Sequence, residues 1–307
     1  MLQPRNAPVL HEPAAPAAAT CNTCGSHSVR VVYESGLAQV NQIVECADCG
    51  LMYAYPRAES NLVRYDRDEG RALPLTRENA QLKHTADKLA DYRRIADALA
   101  ELLPGKGRLI EVGAFSGVLT DHFRQAGWDA AGIEPDGRAV AYARATYGVE
   151  VHCGTLQSVE LPPGSADAVV MLHVIEHVDD PMANVRAALE LLRPGGVLVI
   201  ETPTYDSLPY RLLRHRERSI SCNGHIFFYT ERTLTDLLAR AGFAVARAEK
   251  VGRTMSVGRF LWNLGVVSRS RGVRTAVSGV SDRLHLDTRY LYLNLGDMIR
   301  IYASRPL

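Results

Sequence analysis

The chain has 307 residues, 47% of them hydrophobic, so it can bury one sizeable core and still carry a small accessory module. Its 35 basic and 34 acidic residues give a formal net charge of +1, which argues against a protein that follows a nucleic-acid backbone and favours a small-molecule partner. No stretch approaches the roughly 20 apolar residues of a membrane-spanning helix, so we expect a cytoplasmic protein without a membrane or nucleic-acid partner.

Local patterns divide the chain into four parts. Residues 1–20 are rich in Ala and Pro and lack a continuous apolar segment, so we expect a disordered tail rather than a signal peptide. Residues 21–60 hold a cysteine-rich module. Residues 61–104 form a linker and a leading helix, since apolar residues recur there at helical spacing. Residues 105–307 form the main domain, with an insertion at about 254–294.

Four cysteines form two Cys-x-x-Cys pairs, Cys21 with Cys24 and Cys46 with Cys49, and each pair is followed by glycine. Two thiolates separated by two residues can bind one Zn²⁺, and a β-hairpin between the pairs would bring all four together in a tetrahedron. We therefore predict a zinc ribbon with a structural metal ion, because such a short segment cannot build its own core. Four ordinary reduced cysteines are the alternative.

Strands and helices alternate along the main domain. Apolar segments that begin at residues 108, 129, 149, 166 and 196 are typical of buried strands, and helical patterns lie between them. One predicted helix covers residues 180–196. This alternation predicts a parallel sheet with helices on both faces, because parallel neighbours need helical crossovers. The segments 243–251 and 297–304 predict an antiparallel hairpin around the insertion.

Four motifs, LIEVGAFSG, GIEP, HVIEHVDDP and LRPGGVLVIETP, follow in this order. In sequence and spacing they resemble the class I S-adenosylmethionine-dependent methyltransferases, over residues 79–307. The resemblance implies an α/β fold with a doubly wound, seven-stranded, Rossmann-like sheet. The cysteine module, followed by CGLMYAYP, is similar to the subgroup that includes deoxysugar C-methyltransferases, which implies a small-molecule acceptor such as a sugar nucleotide or a natural-product intermediate.

The resemblance also implies an S-adenosylmethionine site at the carboxyl ends of the strands. Glu111 would lie near the amino group of the cofactor, and Glu134 would accept hydrogen bonds from both ribose hydroxyls. Phe115 replaces the middle glycine of the usual G-x-G-x-G loop, so a close backbone approach is not expected there. The other implied cofactor-binding residues are Gly113, Ala114 and Gly117 in the first loop, Pro135 after the second strand, Thr155 and Leu156 at the adenine, and His173 at the methionyl group.

Proton removal from the acceptor is the second task of such a site. In similar sugar methyltransferases a Glu-His pair after the fourth strand supplies the base, so the resemblance implies that His177 is the base and that Glu176 orients it. His225, in NGHIFFYT, is a second candidate and would lie in the loop after the fifth strand. The alternative is that these histidines only shape the cleft.

The run from His173 to His177 also has the H-x-x-E-H spacing of inverted zinc peptidases. That motif requires both histidines on one face of a helix. Here a predicted strand precedes the run and Pro181 follows it, so we expect no hydrolytic zinc site.

Two other functions remain open at the level of sequence. One is an RNA methyltransferase that docks with its ribbon, although the near-neutral charge and the lack of an N-P-P-Y-like run argue against it. The other is a non-catalytic scaffold, which Phe115 would favour.

The arginines of the insertion would recognise an anionic acceptor from a lid, or form a solvated face; they are Arg269, Arg271 and Arg274. The sequence specifies neither the acceptor nor the oligomeric state.

Overall fold

The computed structural model describes residues 19–37, 41–56, 85–217, 219–222, 224–258, 260–261, 283–284 and 286–307. The predicted tail up to residue 18, the predicted linker at 61–84 and the three insertion arginines lie outside the described residues. Within these ranges, no helix is both long enough and apolar enough to cross a bilayer.

The first elements are strands β1 (Val29–Tyr33), β2 (Gln42–Cys46) and β3 (Met52–Tyr55), helix α1 (Thr85–Leu102), β4 (Arg108–Val112), α2 (Val118–Gln125), β5 (Asp129–Glu134), α3 (Gly137–Tyr147) and β6 (Glu150–Cys153). They are followed by β7 (Ala166–Leu172), α4 (Pro181–Leu191), β8 (Leu192–Pro203), α5 (Leu208–Leu213), β9 (Phe227–Phe228), α6 (Glu231–Ala241), β10 (Ala244–Ser256) and β11 (Tyr290–Ser304). Short 3₁₀ turns cover Arg214–Arg216 and Leu286–Thr288.

The larger sheet has seven strands in the order β10-β11-β8-β7-β4-β5-β6. Strands β4 to β8 are parallel, and β11 is antiparallel to both β8 and β10. This confirms the predicted α/β fold and its terminal hairpin. The strand order reverses between β4 and β7, which is where open α/β sheets bind their ligands. Strands β6 and β10 form the two edges.

The helix ends follow local sequence signals. Thr230 caps α6 in a reciprocal capping box with Thr233, and the helix ends at Gly242. Asp136 caps α3, where its side chain accepts a hydrogen bond from the backbone N–H of Arg138. These boundaries agree with the predicted helices.

One predicted boundary is wrong. The helix expected over 180–196 ends at Leu191, and β8 already begins at Leu192, which pairs with Ala166 of β7. Pro194 has no backbone N–H and cannot continue the helix. The N–H of Gly195 instead donates to the carbonyl of Arg305 at 2.9 Å, so this segment joins the sheet.

Helices cover both faces of the larger sheet. On one face, α1 packs Ile95 and Leu99 against Phe123 of α2 and Tyr302 of β11. On the other face, α4 and α6 bury a larger apolar cluster against the same sheet. That second cluster continues into the cysteine module, through Val44, Leu51 and Tyr53.

The smaller sheet is antiparallel and has the order β1-β2-β3-β9. Three of its strands come from the cysteine module, and the fourth comes from the main domain. Met52 and Tyr53 of β3 pair with Phe228 and Phe227 of β9, and the rings of Tyr53 and Phe227 lie 6.3 Å apart. The module therefore shares both a sheet and a core with the domain that follows it.

Candidate active site and cysteine cluster

The four cysteines of the module meet at one point. Their sulfurs all lie within 4.8 Å of one another, and the pairs Cys21–Cys49 and Cys24–Cys46 are each 3.5 Å apart. Tetrahedral Zn–S bonds of about 2.3 Å would place sulfurs about 3.8 Å apart. None of the four forms a disulfide. The sulfurs are thus arranged as one tetrahedral ion requires.

Both Cys-x-x-Cys turns have the same backbone pattern. The N–H of Gly25 donates to the carbonyl of Cys21 at 2.9 Å, and the N–H of Gly50 donates to that of Cys46 at the same distance. A hydrogen bond to Cys21 and burial raise the pKa of the Cys49 thiol. Without an ion this thiol stays protonated at neutral pH, so metal binding must displace its proton.

The first loop of the main domain turns sharply after β4. Gly113 and Gly117 have φ values of 77° and 76°, and a Cβ on them would lie 2.6 Å from Val174 and 2.7 Å from Ala143. Only glycine fits these two positions without displacing a neighbour. Glu111, at the end of β4, is buried and accepts a hydrogen bond from the hydroxyl of Thr120.

Phe115 has a backbone conformation that normally requires glycine. Its φ is 43°, and its side chain is 38% exposed. The conformation lets its N–H donate to Oε2 of Glu134 at 2.8 Å. The loop thus keeps the shape of a glycine turn at the position where the sequence departs from the family pattern.

Backbone strain at residue 115 predicts that glycine gives a more stable protein than alanine at this position, the reverse of their order in a helix. We expect Phe115→Gly to be more stable than Phe115→Ala by about 1 kcal/mol, because left-handed backbone costs a residue with a Cβ about that much. The free energy of unfolding in urea measures the difference. At Ala145, an exposed position of α3, glycine should instead cost about 1 kcal/mol. A Phe115→Gly variant less stable than Phe115→Ala would contradict the strain.

Glu134 connects three segments at the end of β5. Its carboxylate accepts hydrogen bonds from the backbone N–H groups of Phe115 and Asp136, at 2.8 and 3.0 Å. Burial raises the pKa of Glu134, although these two bonds oppose the shift. The carbonyl of Glu134 accepts a bond from Gly154, which brings the predicted adenine residues Thr155 and Leu156 to the same edge. Pro135, next in the chain, is half-buried.

His173 follows β7 with a φ of 57° and lies between two carboxylates. Its Nδ1 is 3.5 Å from Oε1 of Glu176, and its Nε2 is 3.8 Å from Oε1 of Glu201. Desolvation lowers the pKa of His173, but the two carboxylates outweigh it and raise the pKa above its ordinary value. The residues from His173 to His177 form a bend and a turn rather than a helix, so the geometry that a peptidase motif requires is not present.

Glu176, His177 and His225 come together beside this loop, although 48 positions separate the last two in the sequence. The two imidazole rings are 4.7 Å apart and nearly perpendicular. Nδ1 of His177 donates to the carbonyl of Gly224 at 2.7 Å, so in the neutral ring Nε2 carries the lone pair. The structure thus brings together the three predicted catalytic residues.

Burial controls the charge of this cluster. Desolvation lowers the pKa of His225 to about 4, and the opposing charge of Glu176 is too weak to prevent the shift. Desolvation would raise the pKa of Glu176, but His173 and the other histidines lower it below its ordinary value. At neutral pH the cluster therefore contains an ionised carboxylate and a neutral His225.

Three residues at this edge were not predicted from the sequence. Glu201 lies two residues before the carboxyl end of β8, the fifth parallel strand, where the strand-end rule would have found it. Arg300, 2% exposed, binds Glu201 from β11 with an N–O distance of 2.6 Å. Tyr92 of α1 reaches the same region, where desolvation and the charges of Glu111 and Glu201 raise its pKa.

Comparison with known proteins agrees with this architecture. Residues 83–248, more than half of the chain, match a family described as a methyltransferase domain. A Mycolicibacterium smegmatis protein named "Probable S-adenosylmethionine-dependent methyltransferase" is 32% identical over 179 residues, which are 57% of this chain and 66% of that protein. A ubiquinone biosynthesis O-methyltransferase of Xanthomonas campestris is 37% identical over 107 residues, which are 33% of this chain and 44% of that protein.

A solved structure shows the same fold at low sequence identity. It is a chain from the complex between the Haloferax volcanii Trm112 methyltransferase activator and a methyltransferase, with a TM-score of 0.52, 13% identity and coverage of 82% of this chain and 100% of that one. The curated relatives are matched over less than two thirds of their own length. The family match and the seven-stranded sheet agree with the motif series, and the chain belongs to the class I S-adenosylmethionine-dependent methyltransferases.

Proposed function

We propose that the protein transfers a methyl group from S-adenosylmethionine to a small-molecule acceptor. The observation that carries this proposal is the convergence of two sets of residues at one sheet edge. Glu111, Glu134 and the strained first loop form the set suited to the cofactor. Glu176 and the two histidines near it form the set suited to the acceptor.

The residues at this edge fit the cofactor in charge and shape. When bound, S-adenosylmethionine supplies an electrophilic methyl group on a sulfonium. Oε2 of Glu134 accepts a hydrogen bond from the first loop and Oε1 accepts one from Asp136, and the further lone pairs of the carboxylate can accept from ribose hydroxyls. Glu111 places a buried negative charge where the cofactor would bring an ammonium group. These groups orient the reactants, which is the main requirement of in-line transfer.

We infer that the acceptor is a hydroxyl compound with an anionic part, such as a sugar nucleotide or a natural-product intermediate. The O-methyltransferase named among the relatives favours an oxygen acceptor. Exposed arginines on and after α5 favour the anionic part; they are Arg211, Arg214 and Arg216. This segment adjoins the cluster, because Tyr210 packs on Tyr205, whose hydroxyl is 3.5 Å from Nδ1 of His225.

We further propose that the four-cysteine cluster binds one structural Zn²⁺. The sulfur spacing supports this, and so does the continuity of the smaller sheet with the main core. Four thiolate ligands leave no coordination position for a substrate. Cys21, Cys24, Cys46 and Cys49 would hold the ion, whose contribution is to fold the module.

Replacing Glu134 tests the cofactor site directly. Calorimetric titration with S-adenosylhomocysteine and S-adenosylmethionine should show binding to the wild type, and Glu134→Ala should weaken it by at least about 100-fold. Two hydrogen bonds to a charged group contribute about 1.5–3 kcal/mol each, and each tenfold in affinity is about 1.4 kcal/mol. The affinity of Glu134→Gln, which retains one carbonyl acceptor, should fall between those of the wild type and Glu134→Ala.

Glu160→Ala is the matched control, since this glutamate is exposed on the neighbouring loop after β6. It should bind the cofactor like the wild type. If folded wild-type protein bound neither compound, the methyltransferase proposal would fail and a non-catalytic scaffold would be favoured. Equal affinity of Glu134→Ala and the wild type would remove Glu134 from the site.

A further inference from the structure

The cluster of Glu176, His177 and His225 has the composition of a metal site. Each side chain offers one ligand atom, and the three atoms lie within 4.8 Å of one another. Bonds of about 2.1 Å to one cation require ligand atoms separated by about 3–4 Å. Side-chain movements of less than about 1 Å would therefore suffice. Two histidines and one carboxylate form the facial ligand set of many divalent-metal sites, and this set leaves positions open for a substrate.

The carboxylate of Glu176 is the strongest evidence that the cluster is built for a ligand. The residue is 1% exposed, and neither oxygen accepts a hydrogen bond from the described residues. Nδ1 of His173 is 3.5 Å from Oε1 of Glu176, and Oε2 accepts no hydrogen bond from that ring. A buried ionised carboxylate is costly unless a cation or donors compensate it. A cation between Glu176 and the two neighbouring rings would supply that compensation.

His177 is also held as a metal ligand usually is. A ligating imidazole donates its other N–H to a carbonyl or carboxylate, which fixes the ring and the tautomer. His177 does this through Nδ1, toward the carbonyl of Gly224 at 2.7 Å. His225 is half-buried and contacts the hydroxyl of Tyr205 at 3.5 Å.

We propose that Glu176, His177 and His225 bind a divalent cation of the Mn²⁺ or Co²⁺ type, separate from the cysteine cluster. The site itself rests on this geometry; its role in methyl transfer rests on the proposed function. A cation there would bind the acceptor hydroxyl and lower its pKa, so that its proton could pass to solvent water while the oxygen takes the methyl group and S-adenosylhomocysteine leaves. His177 would then hold the cation through Nε2. It would not take the proton, which is the role that the sequence resemblance implied for it.

Mn²⁺ binding to zinc-loaded protein tests the proposal. Mn²⁺ prefers oxygen ligands such as carboxylate to thiolate, so a cysteine cluster that already holds its one zinc does not compete for it. The paramagnetic resonance signal of free Mn²⁺ reports how much is bound. We expect about one equivalent per wild-type chain, and at least about tenfold weaker binding by Glu176→Gln and by His225→Ala. His152→Ala, a half-buried histidine next to Glu150, is the matched control and should bind like the wild type.

Zinc content and S-adenosylhomocysteine affinity are measured on the same samples. Retention of zinc by the variants shows that they are folded, and His225→Ala supports the result if Glu176→Gln is unstable. Wild-type protein that binds neither Mn²⁺ nor Co²⁺ at millimolar concentrations would overturn the proposal, as would equal Mn²⁺ affinity of both cluster variants and the wild type. If S-adenosylhomocysteine binds but the cations do not, only the cation site fails. If the cations bind but S-adenosylhomocysteine does not, the proposed function fails and the cation site stands.

Discussion

Replacing Cys24 with serine is expected to remove the zinc and to unfold the smaller sheet. Structural zinc contributes an apparent binding free energy of about 10–16 kcal/mol in small zinc-binding peptides, comparable to the entire stability of many domains. Strands β1 to β3 have only four or five residues each, so their packing cannot replace that contribution, although both faces of their sheet contact apolar residues of the main domain. Metal analysis and the thermal unfolding of the variant measure the loss.

The loss should extend to the candidate active site. The N–H of Ala54 in β3 donates to the carbonyl of Ile226 at 2.8 Å, and the N–H of Ile226 donates to the carbonyl of Glu176 at 2.7 Å. His225 immediately precedes Ile226 in the chain, so the module fixes one wall of the cluster. We expect the ring signals of His225 in an NMR spectrum to shift or broaden in Cys24→Ser. The control is Cys153→Ser, which changes an exposed thiol at the end of β6. Unchanged His225 signals in metal-free Cys24→Ser would contradict this coupling.

Arg300→Met should be the most destabilising single change in the main sheet, at about 3–5 kcal/mol. Arg300 of β11 lies directly across from Glu201 of β8, and its Nε and Nη2 are 2.8 and 2.6 Å from Oε2 of that residue. The guanidinium is almost fully buried. Removing one partner of a buried pair leaves an uncompensated charge, and that is what makes the change costly. Urea unfolding measures the free energy.

A double variant separates the pair from the packing around it. Arg300→Met with Glu201→Leu should lose less stability than the sum of the two single changes, because neither charge of the buried pair is left without the other. Arg30→Met provides the comparison at the surface, since Arg30 pairs with Glu45 through a side chain that is 72% exposed. That variant should stay within about 1 kcal/mol of the wild type. Similar losses of stability in Arg300→Met and Arg30→Met would show that the buried pair contributes no more to stability than the surface pair.

Local chemistry explains what the sequence could predict. The Cys-x-x-Cys turns, the glycine loop around Gly113 and the cap at Thr230 each depend on neighbours within about five positions, so their patterns are visible in the chain. Alternating strands and helices then constrain the sheet, because parallel strands need crossovers of one hand. The carboxyl ends of the strands must share an edge, which is why the predicted residues Glu111, Glu134 and His173 lie on it.

Long-range pairing explains what was missed. Strand β9 is two residues long and carries no strand signal of its own; it exists because β3 presents free backbone groups beside Phe227. The partner of Glu201 is Arg300, 99 positions away, and only the antiparallel register of β11 brings them together. The early start of β8 also depends on a distant carbonyl, that of Arg305. Such contacts are set by tertiary packing rather than by composition.

The charges along β10 protect the large sheet from growing by addition of further strands. An edge strand offers unpaired backbone groups to any other extended chain, and a 13-residue edge is a long template. Arg247 and Glu249 form an ion pair along β10, and Lys250 binds Asp206. An incoming strand would have to strip water from these groups, which opposes fibril-like stacking at high protein concentration. The opposite edge, β6, has only four residues and offers little to extend.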